Sequence, residues 1–338
     1  MTSHLLKVSI LVCIALLLGC KSDDTTPQAN RLYILENERL YFQGNEITLN
    51  GVNALHSFGL ENLELMNSWN VQIVREFVGN LREQPISGGA VQGSDGAWLH
   101  PLDQIVSNNR QANMATIICP FGWVYPNGDQ LLFTGLNPQD QDFFEDYEHK
   151  MKAIATHFAG QEDVWIEVWN EPYSWNNSNN YSHELWLNDM SRMVANLRNV
   201  NGFNNIIVVP GNEQGQSEDA LIAKGQQLMD QDNHIIFDLH AYEKWLNNST
   251  QTEIETRLQR LLASGFPYIF GEIGVKNVGD LMDPTAFLQA VTNQRIHTLA
   301  WLWKREQDDP SALLTETGDS NNLNNNNWGT LFYDFLNR

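Results

Sequence analysis

Cysteine and basic residues are both scarce in this sequence, and each shortage excludes a class of protein. Three cysteines occur among 338 residues, too few for a disulfide-dense secreted scaffold. Lys and Arg number 20 against 41 Asp and Glu, so the formal net charge is −21. A chain this acidic lacks the basic surface that attracts nucleic acid or anionic lipid. Neither is therefore an expected partner of the folded domain.

The motifs that bind nucleotides and catalytic metals are also missing. No glycine-rich phosphate turn follows the first predicted strand, and no Walker or dinucleotide fingerprint occurs. The nine His residues include no ligand-spaced pair such as His-Glu-x-x-His. We therefore expect neither a metal nor an organic cofactor.

An apolar run opens the chain and has the character of a targeting segment. Residues 8–18 follow Lys7 and are too few for a permanent membrane helix, but they suit the core of a signal peptide. The run ends in Leu-Leu-Gly-Cys at 17–20, which resembles the lipobox of bacterial lipoproteins. The resemblance implies cleavage before Cys20 and acylation of its sulfur. An ordinary signal peptide that contains a cysteine is the alternative.

These features divide the chain into a signal peptide at 1–19, a polar tether at 20–30 and one domain at 31–338. Lys21, followed by acidic residues, also resembles a surface-export signal of some lipoproteins. We expect an exported protein, anchored through its lipid to a bacterial outer membrane and facing the cell surface. Cys119 is then the one cysteine left in the mature domain, and its apolar neighbours predict a buried, unreactive thiol.

The domain alternates short apolar runs with amphipathic stretches, which predicts eight β/α units. A hairpin-like lead-in at 39–45 precedes them, and a polar loop is expected at 319–327. Near-continuous apolar strands favour a closed parallel (β/α)8 TIM barrel, an α/β fold, over an open doubly wound sheet. The predicted strands span 51–55, 71–77, 114–120, 164–169, 205–210, 234–239, 268–270 and 298–303. Predicted helices include 143–158, 185–197, 253–263 and 284–292.

Two of these strands end on a carboxylate. The fourth runs apolar into Trp-Asn-Glu-Pro at 169–172, and the seventh into Gly-Glu-Ile-Gly at 271–274. Functional residues of β/α barrels collect at the carboxyl ends of the strands. Glu171 and Glu272 are thus predicted to face each other across the barrel mouth. Paired carboxylates about 5–5.5 Å apart can cleave a glycosidic bond with retention of configuration.

The two motifs, in this order and in these positions, resemble glycoside hydrolase family 5 and its clan of retaining β/α-barrel enzymes. The resemblance implies that Glu171 is the acid/base and Glu272 the nucleophile. It also implies that Arg75, at the end of the second strand, pairs with the nucleophile. Asn170 would donate to the sugar 2-hydroxyl.

Further residues receive roles from the same resemblance. His240 and Tyr242 resemble the family's His-x-Tyr pair, in which the tyrosine donates to the nucleophile. Trp303 would be the platform for the sugar before the scissile bond, while Trp301 would fill the barrel. Aromatic residues in predicted loops would stack on other sugars; they are Trp123, Tyr125, Trp175 and Trp245.

Two more acidic residues are predicted not to take part in the chemistry. Glu167 shares the face of Glu171 but sits one layer lower, so we interpret it as a buried, hydrogen-bonded structural carboxylate. Glu213 ends the fifth strand and is expected to line the cleft without a catalytic duty.

The leading hypothesis is a monomeric, retaining endo-β-1,4-glycanase acting on polysaccharide or oligosaccharide. Several segments resemble the bacterial β-mannanases of the family. However, the third-strand segment Cys-Pro-Phe-Gly-Trp at 119–123 matches neither the mannanase nor the cellulase branch, which leaves mannan and glucan open. A catalytically weak carbohydrate-binding lipoprotein and a transglycosylase on the same barrel are the alternatives.

Overall fold

The computed structural model describes residues 31–323 and 327–338, and Arg31–Arg338 form one compact unit. The predicted signal peptide, the lipidation site at Cys20 and the tether at 20–30 lie outside the described residues, as does part of the polar loop at 319–327. Within the described part of the chain, no helix has the length and apolar character needed to cross a bilayer.

Eight parallel strands close into a barrel in which each strand pairs with its neighbours in chain order, and the eighth pairs with the first. The predicted (β/α)8 barrel is confirmed, with strand ends displaced by a few residues. Most strand residues are buried because helices cover the outer face and side chains fill the interior. The barrel strands are Asn50–Ala54, Ile73–Val78, Ala115–Pro120, Val164–Glu167, Ile207–Pro210, Ile235–Ala241, Tyr268–Ile273 and His297–Trp303.

Helices with one apolar stripe surround the barrel, and the four predicted helices are present with small changes at their ends. One of them, Gln251–Leu262, begins with a capping box in which Thr250 and Glu253 satisfy each other's backbone N–H groups. The helices are Glu64–Ser68, Leu102–Gln111, Phe144–His157, His183–Arg198, Asp219–Met229, Glu243–Leu246, Gln251–Leu262, Thr285–Gln294 and Trp328–Leu336.

A three-stranded antiparallel sheet precedes the barrel and packs against its amino-terminal end. Its strands are Tyr33–Glu36, Arg39–Phe42 and Asn45–Ile47, so the predicted hairpin has a third strand. Tyr33 meets the buried barrel residue Trp165 edge to face, with ring centroids 5.7 Å apart. The bottom of the barrel is therefore covered, and the opposite end is left for a site.

Short strand pairs shape the loops at that opposite, carboxyl-terminal end. Val91–Gln92 pairs with Trp98–Leu99 after the second barrel strand, and Gly122–Val124 pairs with Gln130–Leu132 after the third. Thr134–Leu136 runs parallel to Glu171–Pro172 and so ties the third loop to the fourth. These contacts restrict the position of the chain on either side of Glu171.

The buried His297 predicts how stability depends on pH. Burial, with Arg39 and Arg295 adding to it, lowers the pKa of His297 from 6.5 to about 4, and its Nδ1 accepts the Leu49 N–H at 2.9 Å. Between these two pKa values His297 is protonated in the unfolded chain but neutral in the folded protein. The free energy of unfolding therefore falls as the pH falls. His297→Asn retains an acceptor but cannot titrate. Between pH 6.5 and pH 4, the free energy of unfolding of this variant, measured with urea, should rise by about 2 kcal/mol relative to that of the wild type.

The control for this experiment is His149→Asn, because His149 is exposed on the helix Phe144–His157. Its stability difference from wild type should be the same at both pH values. An equal slope for His297→Asn and wild type would show that His297 does not contribute to acid unfolding.

Candidate active site

A buried arginine organises the mouth of the barrel. Arg75, on the second barrel strand, is fully buried, and its Nη1 donates to Glu272 Oε1 at 2.6 Å and to Asn53 Oδ1 at 2.9 Å. Its Nε and Nη2 donate to both oxygens of Glu167 at 2.6 and 2.8 Å, and Nη2 also reaches Asn170 Oδ1 at 2.9 Å. Charge-assisted, bidentate hydrogen bonds of this kind offset the cost of burying a charge.

Glu272 lies on the seventh barrel strand and has two donors. Its Oε1 accepts from Arg75, and its Oε2 accepts the Tyr242 hydroxyl at 2.7 Å. Burial raises the pKa of Glu272, and the neighbouring Glu171 adds to this rise, whereas His240, Arg75 and Tyr242 act against it. Donors aimed at both oxygens favour the carboxylate form, which a nucleophile requires.

Glu171 follows the fourth barrel strand and is more open than Glu272, with 15% of its side chain exposed against 4%. Its Oε1 lies 2.9 Å from His240 Nδ1, and its Oε2 accepts the Thr134 hydroxyl at 2.9 Å. The Glu171 N–H donates to the Phe133 carbonyl at 2.9 Å. The third loop therefore holds both the backbone and the side chain of Glu171.

The two carboxylates meet as predicted. One oxygen of Glu171 and one of Glu272 lie within 4.8 Å of each other, and one His240 nitrogen lies within 4.8 Å of both. One carboxylate is buried beside a guanidinium, while the other is partly open to solvent. Two carboxyl groups at this separation, in unlike surroundings, can divide the roles of nucleophile and proton donor.

His240 is fixed by a close approach of the fifth loop. Gly215 has a φ of +73°, and a Cβ at this position would lie 2.9 Å from the His240 ring. The backbone N–H of His240 donates to the backbone carbonyl of Gly215 at 2.8 Å. A side chain at 215 would therefore displace the imidazole from Glu171.

The assignment of Trp303 as a sugar platform is wrong. Only 3% of Trp303 is exposed, its ring meets Trp69 edge to face at 5.3 Å, and its Nε1 lies 3.3 Å from Glu61 Oε2. The strand register shifts between Ala300 and Trp303. Strict alternation therefore fails, and Trp303 belongs to the core.

Two of the three loop tryptophans predicted to stack on sugars are also core residues. Trp123 is 3% exposed and stacks on Phe143 at 4.9 Å, and Trp245 is completely buried under Arg257. Trp175 differs, because 37% of it is exposed and Lys244 lies 4.5 Å from its ring centroid. Trp175 thus retains a surface that a sugar can reach.

Trp301, assigned to barrel filling, is more exposed than Trp303. It is partly exposed and stacks at 4.9 Å on Phe77, beside Phe121. A Cβ on Gly274, which follows Glu272 by two residues, would lie 3.5 Å from Trp301 Cβ. Trp301 therefore lies next to the strand that carries Glu272.

Sequence reasoning also missed Trp98 and Thr134. Trp98 is 57% exposed on the loop after the second barrel strand. The only sign of it in the sequence is that it is an aromatic residue between two predicted strands. Thr134 carried no signal, since its role follows from the pairing of Thr134–Leu136 with Glu171–Pro172.

Glu167 and Cys119 occupy their expected environments, whereas Glu213, which was expected to line the cleft, does not. Glu167 is buried and hydrogen-bonded to Arg75, and burial raises its pKa to about 7 although Arg75 acts against the rise. Glu213 is nearly buried and forms an ion pair with Lys244 at 2.6 Å, so it contributes little to the cleft surface. Burial raises the pKa of the Cys119 thiol well above its usual value.

Two groups of described side chains bring potential metal ligands within 4.8 Å of one another: Glu167 with Asp238 and His240, and Glu171 with His240 and Glu272. The guanidinium of Arg75 already donates to Glu167 and Glu272. A fixed cation thus offsets part of the charge of these two carboxylates, and the arrangement is that of an ion-pair network.

A closed parallel barrel with two facing carboxylates, one of them paired with a buried arginine, defines the class of β/α-barrel glycosidases. The model of the family described as cellulase (glycosyl hydrolase family 5) matches residues 43–307. This match covers more than half of the chain, which therefore belongs to glycosyl hydrolase family 5.

Curated relatives include an endoglucanase and a mannosidase. The chain is 23% identical over 315 residues to endoglucanase EG-II of Hypocrea jecorina, with 90% of this chain and 60% of the relative aligned. It is also 23% identical over 189 residues to mannan endo-1,4-beta-mannosidase of Streptomyces lividans, covering 54% of this chain and 46% of the relative. The chain thus spans 60% or less of the length of these proteins.

Solved structures share the fold. A mannotriose complex of a Thermomonospora fusca beta-mannanase has a TM-score of 0.66 at 19% identity, covering 89% of this chain and 96% of that one. The catalytic domain of a Thermobifida fusca endoglucanase has a TM-score of 0.63 at 14% identity, covering 90% and 97%. At these identities the similarity establishes the barrel architecture.

Proposed function

We propose that this protein is a retaining endo-β-1,4-glycanase in which Glu272 is the nucleophile and Glu171 the acid/base. The observation that carries the proposal is the approach of the two carboxylates to within 4.8 Å, one paired with Arg75 and the other open to solvent. This separation suits direct attack by a carboxylate, because an inverting enzyme needs about 6.5–9.5 Å to hold a water between the two groups.

In the first step, a Glu272 oxygen attacks the anomeric carbon and forms an ester with the sugar. The bond from that carbon to the leaving oxygen breaks, and Glu171 gives its proton to this oxygen. Arg75 and Tyr242 hold Glu272 in place for the attack. Since Arg75 engages the Asn170 oxygen, the amide NH₂ is directed toward Thr134, 3.5 Å from its hydroxyl, and can donate to a sugar hydroxyl.

In the second step, Glu171 takes a proton from water as the water oxygen attacks the anomeric carbon. The ester to Glu272 breaks, and both carboxyl groups regain their starting states. One water is consumed for each bond cleaved, and the two displacements together retain the anomeric configuration.

We propose a β-1,4-linked mannan or glucan backbone as the substrate class. Support comes from relatives named as an endoglucanase and a mannan endo-1,4-beta-mannosidase, and from a neighbouring barrel solved with mannotriose. The exposed rings of Trp98 and Trp175 and the partly exposed ring of Trp301 are apolar surfaces suited to stacking on sugars.

The test is to incubate residues 31–338 with β-1,4-mannan, glucomannan, carboxymethyl cellulose and mixed-linkage glucan, and to assay new reducing ends. Proton NMR during the first minutes on a defined oligosaccharide should show the β-anomer forming first. Initial α-anomer would overturn the retaining mechanism. New glycosidic bonds without reducing ends would indicate transglycosylation, and binding without either product would indicate a carbohydrate-binding protein.

The different environments of Trp301 and Trp303 predict that removing the first lowers activity and removing the second lowers stability. Trp301→Ala should lower kcat/KM on the preferred polysaccharide about tenfold or more, since a lost stacking contact of ~1.4 kcal/mol corresponds to a factor of ten. Trp303→Ala should instead cost about 3–5 kcal/mol of folding free energy, as buried Trp truncations do. Steady-state kinetics and urea unfolding measure both variants. The reverse pattern would restore Trp303 as the platform.

We further propose that Cys20 is lipidated and anchors the mature protein to a bacterial outer membrane. The lipobox-like sequence at 17–20 supports this. Expression of the full chain with radiolabelled palmitate should label the wild type, and Cys20→Ser should remove the label and release the protein from membranes. Equal labelling of the two would contradict the proposal.

A further inference from the structure

A further buried carboxylate, that of Asp238, lies behind the proposed acid/base, and the mechanism above gives it no role. Asp238, on the sixth barrel strand, is completely buried. Its Oδ1 accepts the Gly271 N–H at 2.6 Å. Gly271 also leaves the space for Asp238, because a Cβ at 271 would lie 2.3 Å from Asp238 Oδ2. The carboxylate therefore sits in a cradle formed by the neighbouring strand.

The other oxygen of Asp238 faces an imidazole nitrogen. Asp238 Oδ2 lies 3.4 Å from His240 Nε2. Among residues 31–323 and 327–338, neither atom has a partner within strict hydrogen-bond geometry. A buried polar atom without a partner is unfavourable. The two atoms are already within hydrogen-bond distance, so a small reorientation would join them. The other charged neighbours are farther away: Glu272 Oε1 lies 3.7 Å from His240 Nε2, and Arg75 Nη2 lies 3.9 Å from Asp238 Oδ2.

The second nitrogen of the same ring faces the acid/base. His240 Nδ1 lies 2.9 Å from Glu171 Oε1. Asp238, His240 and Glu171 thus form a continuous line through the two ring nitrogens. A neutral imidazole has one N–H donor and one lone-pair acceptor. When Nε2–H points at Asp238, Nδ1 presents its lone pair to Glu171, and the hydrogen bond between them needs a proton from the carboxyl group.

We propose that Asp238 is a positioning residue for acid/base catalysis: it accepts Nε2–H of His240 and so retains a second, shared proton between Nδ1 and Glu171. This inference rests on the proposed function. In the first step, the shared proton passes to the leaving oxygen, which leaves Glu171 ionised and His240 neutral. In the second step, the proton taken from water restores the pair.

The charges around His240 agree with a retained proton. Burial lowers the pKa of His240, but the surrounding carboxylates outweigh this and raise it well above its usual value. Arg75 is the opposing cation, already hydrogen-bonded to Glu167 and Glu272. The titratable and charged groups that face His240 are Asp238, Glu171, Glu272, Glu167, Tyr242 and Arg75.

Asp238→Asn tests the proposal, because it removes one negative charge with almost no change of shape. The shared proton should then be lost at a lower pH. The alkaline limb of the kcat/KM profile on polysaccharide should move down by about one pH unit or more. On a 2,4-dinitrophenyl glycoside, whose leaving group needs no proton, the loss of activity should be less than about threefold.

Asp189→Asn is the matched control, since Asp189 is also buried and hydrogen-bonded, to Tyr173 and Gln139, but lies on the helix His183–Arg198. It should leave the alkaline limb in place. A merely structural Asp238 would lose activity equally on both substrates with no shift of the limb, and that result would overturn the proposal.

A measurement without turnover separates this proposal from the proposed function. In ¹⁵N-histidine NMR, His240 should carry a proton on Nε2 in the wild type, and its titration midpoint should fall in Asp238→Asn. Unchanged His240 signals would overturn the relay even in an active enzyme. Absence of glycanase activity in the wild type, with the midpoint shifted, would overturn the proposed function and leave the hydrogen-bonded line intact.

Discussion

Glu272→Gln is expected to lower kcat on the preferred polysaccharide by about four orders of magnitude, the scale of loss seen when a catalytic nucleophile is removed. An amide is a poor nucleophile, and it cannot form the ester to the anomeric carbon. Its shape is nearly that of the carboxylate, and it retains an oxygen to accept from Tyr242 or Arg75. Oligosaccharide binding, measured by calorimetry, should therefore persist. Both measurements are made on residues 31–338.

The control is Glu306→Gln, because Glu306 follows the eighth barrel strand, is half-exposed and pairs with Lys304. Its kcat should stay within about twofold of wild type. Glu272→Ala with added azide offers a second readout. Azide should attack from the emptied side and give a glycosyl azide of inverted configuration. Full activity in Glu272→Gln would exclude Glu272 as the nucleophile.

Arg75→Met is expected to have the largest effect on stability. The substitution leaves Glu167 and Glu272 buried without their guanidinium, and breaking a buried ion pair from one side costs about 3–5 kcal/mol. Urea unfolding at pH 7 should show this loss. Adding Glu167→Gln to Arg75→Met should recover part of the stability, since one uncompensated carboxylate is removed.

A surface arginine provides the matched comparison. Arg192 donates to both oxygens of Glu148 at 2.8 and 2.6 Å, as Arg75 does to Glu167, but it is 45% exposed. Arg192→Met should cost less than about 1 kcal/mol, because water replaces the lost partner. If the two arginine variants lost equal stability, burial would not be the source of the effect.

The carboxylate pair could be predicted because barrel strands deliver their terminal residues to one place. Glu171 and Glu272 are about one hundred residues apart in the chain, yet each follows an apolar strand in a repeating β/α pattern. Once the repeat is recognised, the geometry of a closed barrel brings the strand ends together. Arg75, His240 and Tyr242 follow the same rule, and the structure places all three beside the two carboxylates.

The aromatic residues could not be assigned in this way. Trp301 and Trp303 share a face in ideal strand alternation, but the register shift between Ala300 and Trp303 breaks that alternation. Trp123 is covered by Phe143, and Trp245 is covered by Arg257. Whether a ring faces solvent or core depends on which side chains from distant segments pack on it, and local pattern carries no information on that.

The amino-acid sequence by itself determined the barrel, its eight strands and the carboxylates at two strand ends, because period and strand length are local properties that the chain repeats. Tertiary structure alone decided the partners of those carboxylates: Thr134 and His240 on Glu171, Arg75 and Tyr242 on Glu272, and Asp238 behind the imidazole. The physical reason is that hydrogen bonds and buried charges act over a few ångströms, and only the closed fold brings residues from five strands within that range.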